Sequence, residues 1–92
     1  MCGDLQNPEG AVDRYSSAVS LYGKGHFSQA FALLEPLLDA QPGDAPVFNL
    51  AAACCLSMDR RREAETLWRR AVELKPDYAD ARSNLEVAKR GR

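Results

Sequence analysis

The feature that most constrains this chain is a recurrence at one fixed offset, the step that leads from Pro42 to Pro76. Those prolines stand inside Gln41-Pro42-Gly43-Asp44 and Lys75-Pro76-Asp77-Tyr78. The same offset pairs Ala18 with Ala52, Leu21 with Cys55, Ala30 with Ala64, Leu34 with Trp68 and Leu37 with Ala71. A fixed period of about 20–50 residues marks stacked supersecondary units, none of which can bury its apolar face alone. Any acceptable fold must therefore repeat one small building block along the chain.

Each block reads as two helices. Asn7 suits a helix cap and Pro8 the first helical position, where a missing N–H costs nothing. Val12, Tyr15, Ala18, Val19 and Tyr22 recur at helical spacing, and Gly23 and Gly25 close that helix. Ser28 is the expected cap of the next helix, which carries Ala30, Phe31, Leu33, Leu34, Leu37 and Leu38 to about Ala40. Pro36 lies inside it and removes one backbone bond, which predicts a kink. In the second block Asp44 caps and Pro46 opens a helix to about Met58, and another runs from about Arg61 to Leu74. After Pro76, Asp77 is expected to cap a last helix from about Ala79 to Lys89. No segment sustains period-two alternation, so no strands are expected. The expected architecture is all-α, a helical-hairpin solenoid of five helices in a single domain over residues 1–92. Its hairpins cover about 11–44 and 45–78, and its capping helix about 79–90.

Composition narrows the function classes. Apolar residues are 46% of the chain and charged residues 27%, which is globular rather than disordered. Twelve basic residues against thirteen acidic ones leave a net charge of −1, so the overall balance points to neither a nucleic acid nor a membrane surface. The longest apolar run, Leu50 to Leu56, is far shorter than the roughly 20 residues of a membrane span. Met1-Cys2-Gly3-Asp4-Leu5 has neither the basic start and apolar core of a secretory leader nor a myristoylation signal. Three cysteines, two of them adjacent, do not form a disulfide framework, and a reducing, cytoplasmic setting is expected.

The second block carries Phe48, Ala51-Ala52, Cys55, Ala64, Trp68, Ala71 and Pro76. In residue type and spacing this set resembles the tetratricopeptide repeat, a helix–turn–helix unit. The first block matches at Ala18, Leu21, Ala30, Leu34, Leu37 and Pro42, but has Arg14 and Ser17 where the family places apolar residues. The last helix matches at Leu85, with Glu86 in place of a small residue, as suits a cap whose outer side faces water. The resemblance covers about residues 10 to 90. It implies a concave surface lined by the first helix of each hairpin, here Val12, Tyr15, Val19 and Tyr22, then Asn49, Ala53 and Leu56, then Ser83, Val87 and Arg90.

Such a groove would be mostly apolar, with tyrosine hydroxyls, one amide and a terminal cation. It would take an apolar segment of a partner protein or peptide, an adaptor or chaperone-like act. The alternative is that these residues simply pack against a neighbouring helix or a second copy of the chain. An array of two and a half units leaves apolar ends that a homodimer could complete. Some relatives clamp a carboxylate in the groove, but the matching positions here are Tyr15, Val19, Leu50, Asp80 and Asn84, without a lysine or arginine. The stretch Leu21-Tyr22-Gly23-Lys24-Gly25-His26-Phe27, with Ala30, Phe48, Leu50 to Cys54 and Ala64, also looks like the repeats of type III secretion translocator chaperones. Those hold a partly unfolded apolar segment.

Catalytic chemistry has little to stand on. Cys54 and Cys55 point about 100° apart on a helix and cannot readily bridge, and Cys55 falls at a helix contact where free cysteine acts as a small apolar residue. His26, the single histidine, sits in a turn and would have to reach a packed helix face to activate either thiol. No four-ligand zinc spacing exists, and Gly23-Lys24-Gly25 lacks the rest of a phosphate loop. No metal, cofactor or enzymatic activity is expected. Arg60, Arg61, Arg62, Arg69 and Arg70 form a basic cluster with Glu63, Glu65 and Glu73 in helical reach. It is either a solvated face or a docking patch for an acidic partner.

Overall fold

The structure, a computed structural model, describes residues 9–40 and 44–90, and for residues 9–12 and 40 the backbone alone. Five helices follow one another: α1 (Glu9–Gly23), α2 (Phe27–Ala40), α3 (Ala45–Ser57), α4 (Arg61–Leu74) and α5 (Ala79–Arg90). No strand occurs among the described residues. α1 packs on α2 and α3 on α4 as hairpins, α2 joins the two hairpins through α3, and α5 closes on α4. α1 and α5 each touch α3 as well, so the odd-numbered helices lie side by side. The molecule is elongated, 48 × 27 × 18 Å, as stacking in one direction requires.

Small residues set how closely the helices approach. Ala18 and Ala30 at the α1–α2 crossing, and Ala52 and Ala64 at the α3–α4 crossing, are all 0% exposed. The second pair repeats the first at the offset of the recurrence. Around them lie two connected apolar clusters. One is centred on Leu34, Leu37, Val47, Ala51 and Cys54, the other on Phe48, Cys55, Trp68, Ala71, Ala81 and Ala88. Phe31, Leu38 and Leu67 pack against both and join them. No side-chain nitrogen or oxygen is buried without a hydrogen-bond partner among the described residues.

The turns inside the hairpins are built alike. At the end of α1 the His26 N–H donates to the Leu21 carbonyl at 2.9 Å and the Gly25 N–H to the Tyr22 carbonyl at 3.0 Å. At the end of α3 the Arg60 N–H donates to the Cys55 carbonyl at 2.8 Å and the Asp59 N–H to the Leu56 carbonyl at 3.0 Å. This is the Schellman pattern, which needs one residue in the left-handed region. Gly25 takes it with φ +86° at no steric cost, and Asp59, its equivalent one unit later, takes it with φ 66°. Gly23 ends α1 without a positive φ, so only one of the two glycines is needed for its conformation.

Two expected caps move. α2 begins at Phe27, with the His26 carbonyl accepting the Ala30 N–H at 3.0 Å, so Ser28 lies in the first turn rather than before it. The Phe27 ring packs edge-on against Tyr22, centroids 5.2 Å apart, which favours starting the helix one residue earlier. Asp77 is displaced for a different reason. It sits in a turn closed by the Tyr78 N–H donating to the Lys75 carbonyl at 3.0 Å, and the Tyr78 carbonyl then accepts the Arg82 N–H. Tyr78 therefore occupies the cap, one full repeat after Asp44. Asp44 does precede α3, but its carbonyl receives Val47 and Phe48 while its side chain makes no capping bond. α2 continues through Pro36 to Ala40. Asn7, Pro8, Cys2 and Pro42 lie outside the described residues.

Candidate binding surface

The face assigned to ligand binding occupies equivalent turns of α1, α3 and α5, so its members form rows one repeat apart: Tyr15, Asn49, Ser83; Val19, Ala53, Val87; Tyr22, Leu56, Arg90. Val19 and Val87 are the large apolar side chains left exposed among the described residues, at 46% and 57%. Both belong to the middle row, with half-buried Ala53 between them. Ser83 and Arg90 are exposed. Tyr15, Tyr22 and Leu56 are half-buried and pack against the core, Tyr22 through its edge contact with Phe27. Val12 has its side chain outside the described residues.

Asn49 is the most engaged member. Its Oδ1 accepts from Trp68 Nε1 at 2.7 Å and from Asn84 Nδ2 at 3.3 Å. One amide oxygen thus ties α3 to α4 and α5, and satisfies the indole of a tryptophan that is 2% exposed. Burial raises the pKa of the Tyr15 hydroxyl, with further increases from Tyr78 and Asp44. Burial also raises that of Tyr78, with Asp80 and Asp44 acting in the same direction and the Asn49 amide against them. Tyr15, Asp44, Asn49, Tyr78 and Asp80 therefore share one electrostatic neighbourhood at the loop end of this face. Tyr78 and Asn84 were not among the expected site residues. Tyr78 could have been found from its offset to Asp44, and Asn84 stood on this face already as a carboxylate-clamp position, while its bond to Asn49 shows only in the structure.

The pockets lie largely outside these rows. One of about 470 Å³ opens between α4 and α5, where Ser83 meets Val72, Ala79, Arg82, Leu85 and Glu86. Arg82, Glu86 and Lys89 hold the places that Phe48, Ala52 and Cys55 hold on α3, so this end of the stack is charged where α3 is apolar. A second pocket, about 300 Å³, lies between α2 and α4, with Phe31, Cys55, Arg62, Glu63, Thr66 and Leu67 around it. The third surrounds exposed His26, with Gly25, Phe27, Ser28, Gln29 and Met58, and contains neither cysteine.

Cys54 and Cys55 are free thiols and are 0% exposed. Burial pushes both up from 9.0 to about 11, aided by the neighbouring thiol for Cys54 and by Glu63 for Cys55. A thiol in that state is a poor nucleophile at neutral pH, because the thiolate is the reactive form. Among the described residues no three His, Cys, Asp or Glu side chains gather as a metal site, and no helix is long and apolar enough to cross a membrane.

Helical hairpins stacked with a fixed period, small residues at each crossing and an exposed row on the first helices define a helical-repeat protein. A family model described as tetratricopeptide repeat matches residues 21–86, and the chain belongs to that family. It is also similar to the peroxisomal targeting signal receptor of Saccharomyces cerevisiae, 33% identical over 67 residues. That match covers 73% of this chain and spans 11% of the receptor's length.

Proposed function

We propose that this chain captures an apolar peptide segment of a partner protein across the first helices of its hairpins. The tetratricopeptide repeat is a protein-interaction fold, and the observation that carries the finer reading is the row Val19–Ala53–Val87. The exposed large apolar side chains among the described residues both fall in that row, at equivalent positions of the first and third helices of the face. A partner side chain there would remove apolar surface worth about 25 cal/mol per Å² from water. Tyr15 and Tyr22 border the row with hydroxyls for a peptide backbone, and Arg90 adds a cation at one end. The similar yeast protein is a receptor for a targeting signal, which supports recognition of a segment of another protein here. Capture of this kind is an adaptor or chaperone-like act. The reduced thiols of Cys54 and Cys55 suit a reducing compartment such as the cytoplasm.

The test is selection of peptides from a random displayed library on the immobilised chain, then fluorescence anisotropy with synthetic copies of the selected sequences. Selected peptides should share apolar positions, and Val19→Glu combined with Val87→Glu should weaken binding at least about tenfold. Equal binding by a folded double variant refutes the assignment. These valines make a cleaner probe than Tyr15 or Tyr22, whose partial burial would mix a folding defect with a binding one.

A further inference from the structure

The two halves of the chain carry opposite charge, and no ion pair among the described residues joins them. Residues 1–59 hold seven acidic and two basic side chains, whereas residues 60–92 hold ten basic and six acidic. The contrast is sharpest on the outer stripes of α2 and α4, which are equivalent in the repeat. Ser28, Ala32, Glu35 and Asp39 run along α2, and Arg62, Thr66, Arg69 and Glu73 occupy the same four positions one repeat later. All eight are exposed. Glu73 is paired with Arg70 at 3.4 Å, which leaves the α4 stripe basic. The other ion pairs among the described residues, Arg60–Glu63 at 3.7 Å and Lys89–Glu86 at 3.6 Å, are equally local. Among the described residues, Glu35, Asp39, Arg62 and Arg69 have no partner of opposite charge within 4.0 Å.

A cleft of about 300 Å³ lies between α2 and α4, lined by Phe31 and Leu67 and, from the α4 stripe, by Arg62 and Thr66, with Glu63 beside them. Along its α2 side Glu35 shares a neighbouring pocket with Phe31 and Arg60. An acidic stripe on α2 and a basic stripe on α4 form a self-complementary pattern. Rotated about a two-fold axis running along the two helices, a second copy lays its basic α4 on the acidic α2 of the first, and its acidic α2 on the basic α4. A two-fold interface is of this kind, each contact being made twice.

We propose that the face formed by α2 and α4 binds a second copy of this chain, related by a two-fold axis running along the two helices, with Glu35 of each copy opposite Arg69 of the other. The two clefts then face one another, and Phe31 and Leu67 supply apolar contact area. This face is separate from the row on α1, α3 and α5, so pairing leaves the proposed peptide surface open. Exposed ion pairs contribute little each, so the dimer is a dissociable one whose association depends on salt.

The experiment is light scattering coupled to size exclusion across a concentration series. The wild-type chain is expected to shift from monomer to dimer at low salt. Moving from about 0.01 M to about 1 M salt shortens the screening length from about 30 Å to about 3 Å and should raise the dimer Kd roughly tenfold or more. Glu35→Arg with Asp39→Arg makes both stripes basic, and Arg62→Glu with Arg69→Glu makes both acidic. Each variant alone should be monomeric, and an equimolar mixture should form a dimer containing one of each. Circular dichroism checks that both remain helical, and the single exchanges Glu35→Arg and Arg69→Glu replace any double variant that does not fold. A wild-type chain that stays monomeric at low salt overturns the proposal, as does a charge variant that dimerises alone or a mixture that does not pair. Val19→Glu with Val87→Glu should leave the dimer intact. Loss of the dimer there would place self-association on the other face and would also overturn it.

Discussion

At the scale of single residues, the sharpest strain is at Asp59. Its positive φ serves the same turn as Gly25, but an L side chain in that region costs on the order of 1 kcal/mol. Asp59→Gly should raise stability by about 0.5 kcal/mol after the added flexibility of the unfolded chain is subtracted, and Asp59→Val should lower it. Urea denaturation followed by circular dichroism reads both. Asn49 makes the opposite case. Replacing it with alanine strands the Trp68 indole in a buried site, a loss of about 1–3 kcal/mol, with a change in the emission of the single tryptophan. The buried thiols set a pH dependence. Their protons are held up to about 11 in the fold but only to 9.0 when it opens, so the unfolded state binds fewer protons between those values. Stability contributed by the neutral thiols is complete below pH 9 and lost as pH rises toward about 11. An alkaline denaturation series in Cys54→Ala and Cys55→Ala should show a shallower decline than the wild type.

Among the elements, α3 and α4 hold the fold and α5 is lightly anchored. α3 buries seven residues, Phe48 among them, while α5 buries only Ala81 and Ala88. Two methyl groups bury little apolar surface, so the docking of α5 leans on half-buried Tyr78 and Leu85 and on the Asn84 bond to Asn49. Native-state hydrogen exchange should find α5 amides opening well below the global unfolding free energy, and α3 amides opening only with it. Ala81→Asp should undock the 12-residue helix, lower helicity accordingly and shift Trp68 emission to the red, because Trp68 and Ala81 share one cluster. Unchanged emission would mean that α5 does not cover this core.

For the molecule as a whole, two surfaces follow from one repeat. Its first helices present the apolar row of Val19, Ala53 and Val87, and its second helices present the charged stripes. Substitutions at exposed positions on either surface should change stability by no more than about 0.5 kcal/mol, so binding and folding can be measured apart. Trp68→Ala belongs to the other extreme. It removes about 3–5 kcal/mol from a small domain whose total is of that order, and should abolish the cooperative melt.

The repeat marked by Pro42 and Pro76, the order and type of the five helices and the small residues at the crossings were legible in the sequence, because each depends on local spacing and side-chain size. The positions of the caps at His26 and Tyr78 were not. They depend on where a ring packs and where a turn closes, and neither is encoded by the capping preference of Ser28 or Asp77. The rows on α1, α3 and α5 could be counted from the repeat. Only the tertiary structure decided which of their members point into solvent, as Val19 and Val87 do, and which are spent on the fold, as Asn49 is. Exposure is a property of neighbouring helices, and a single helix cannot specify it.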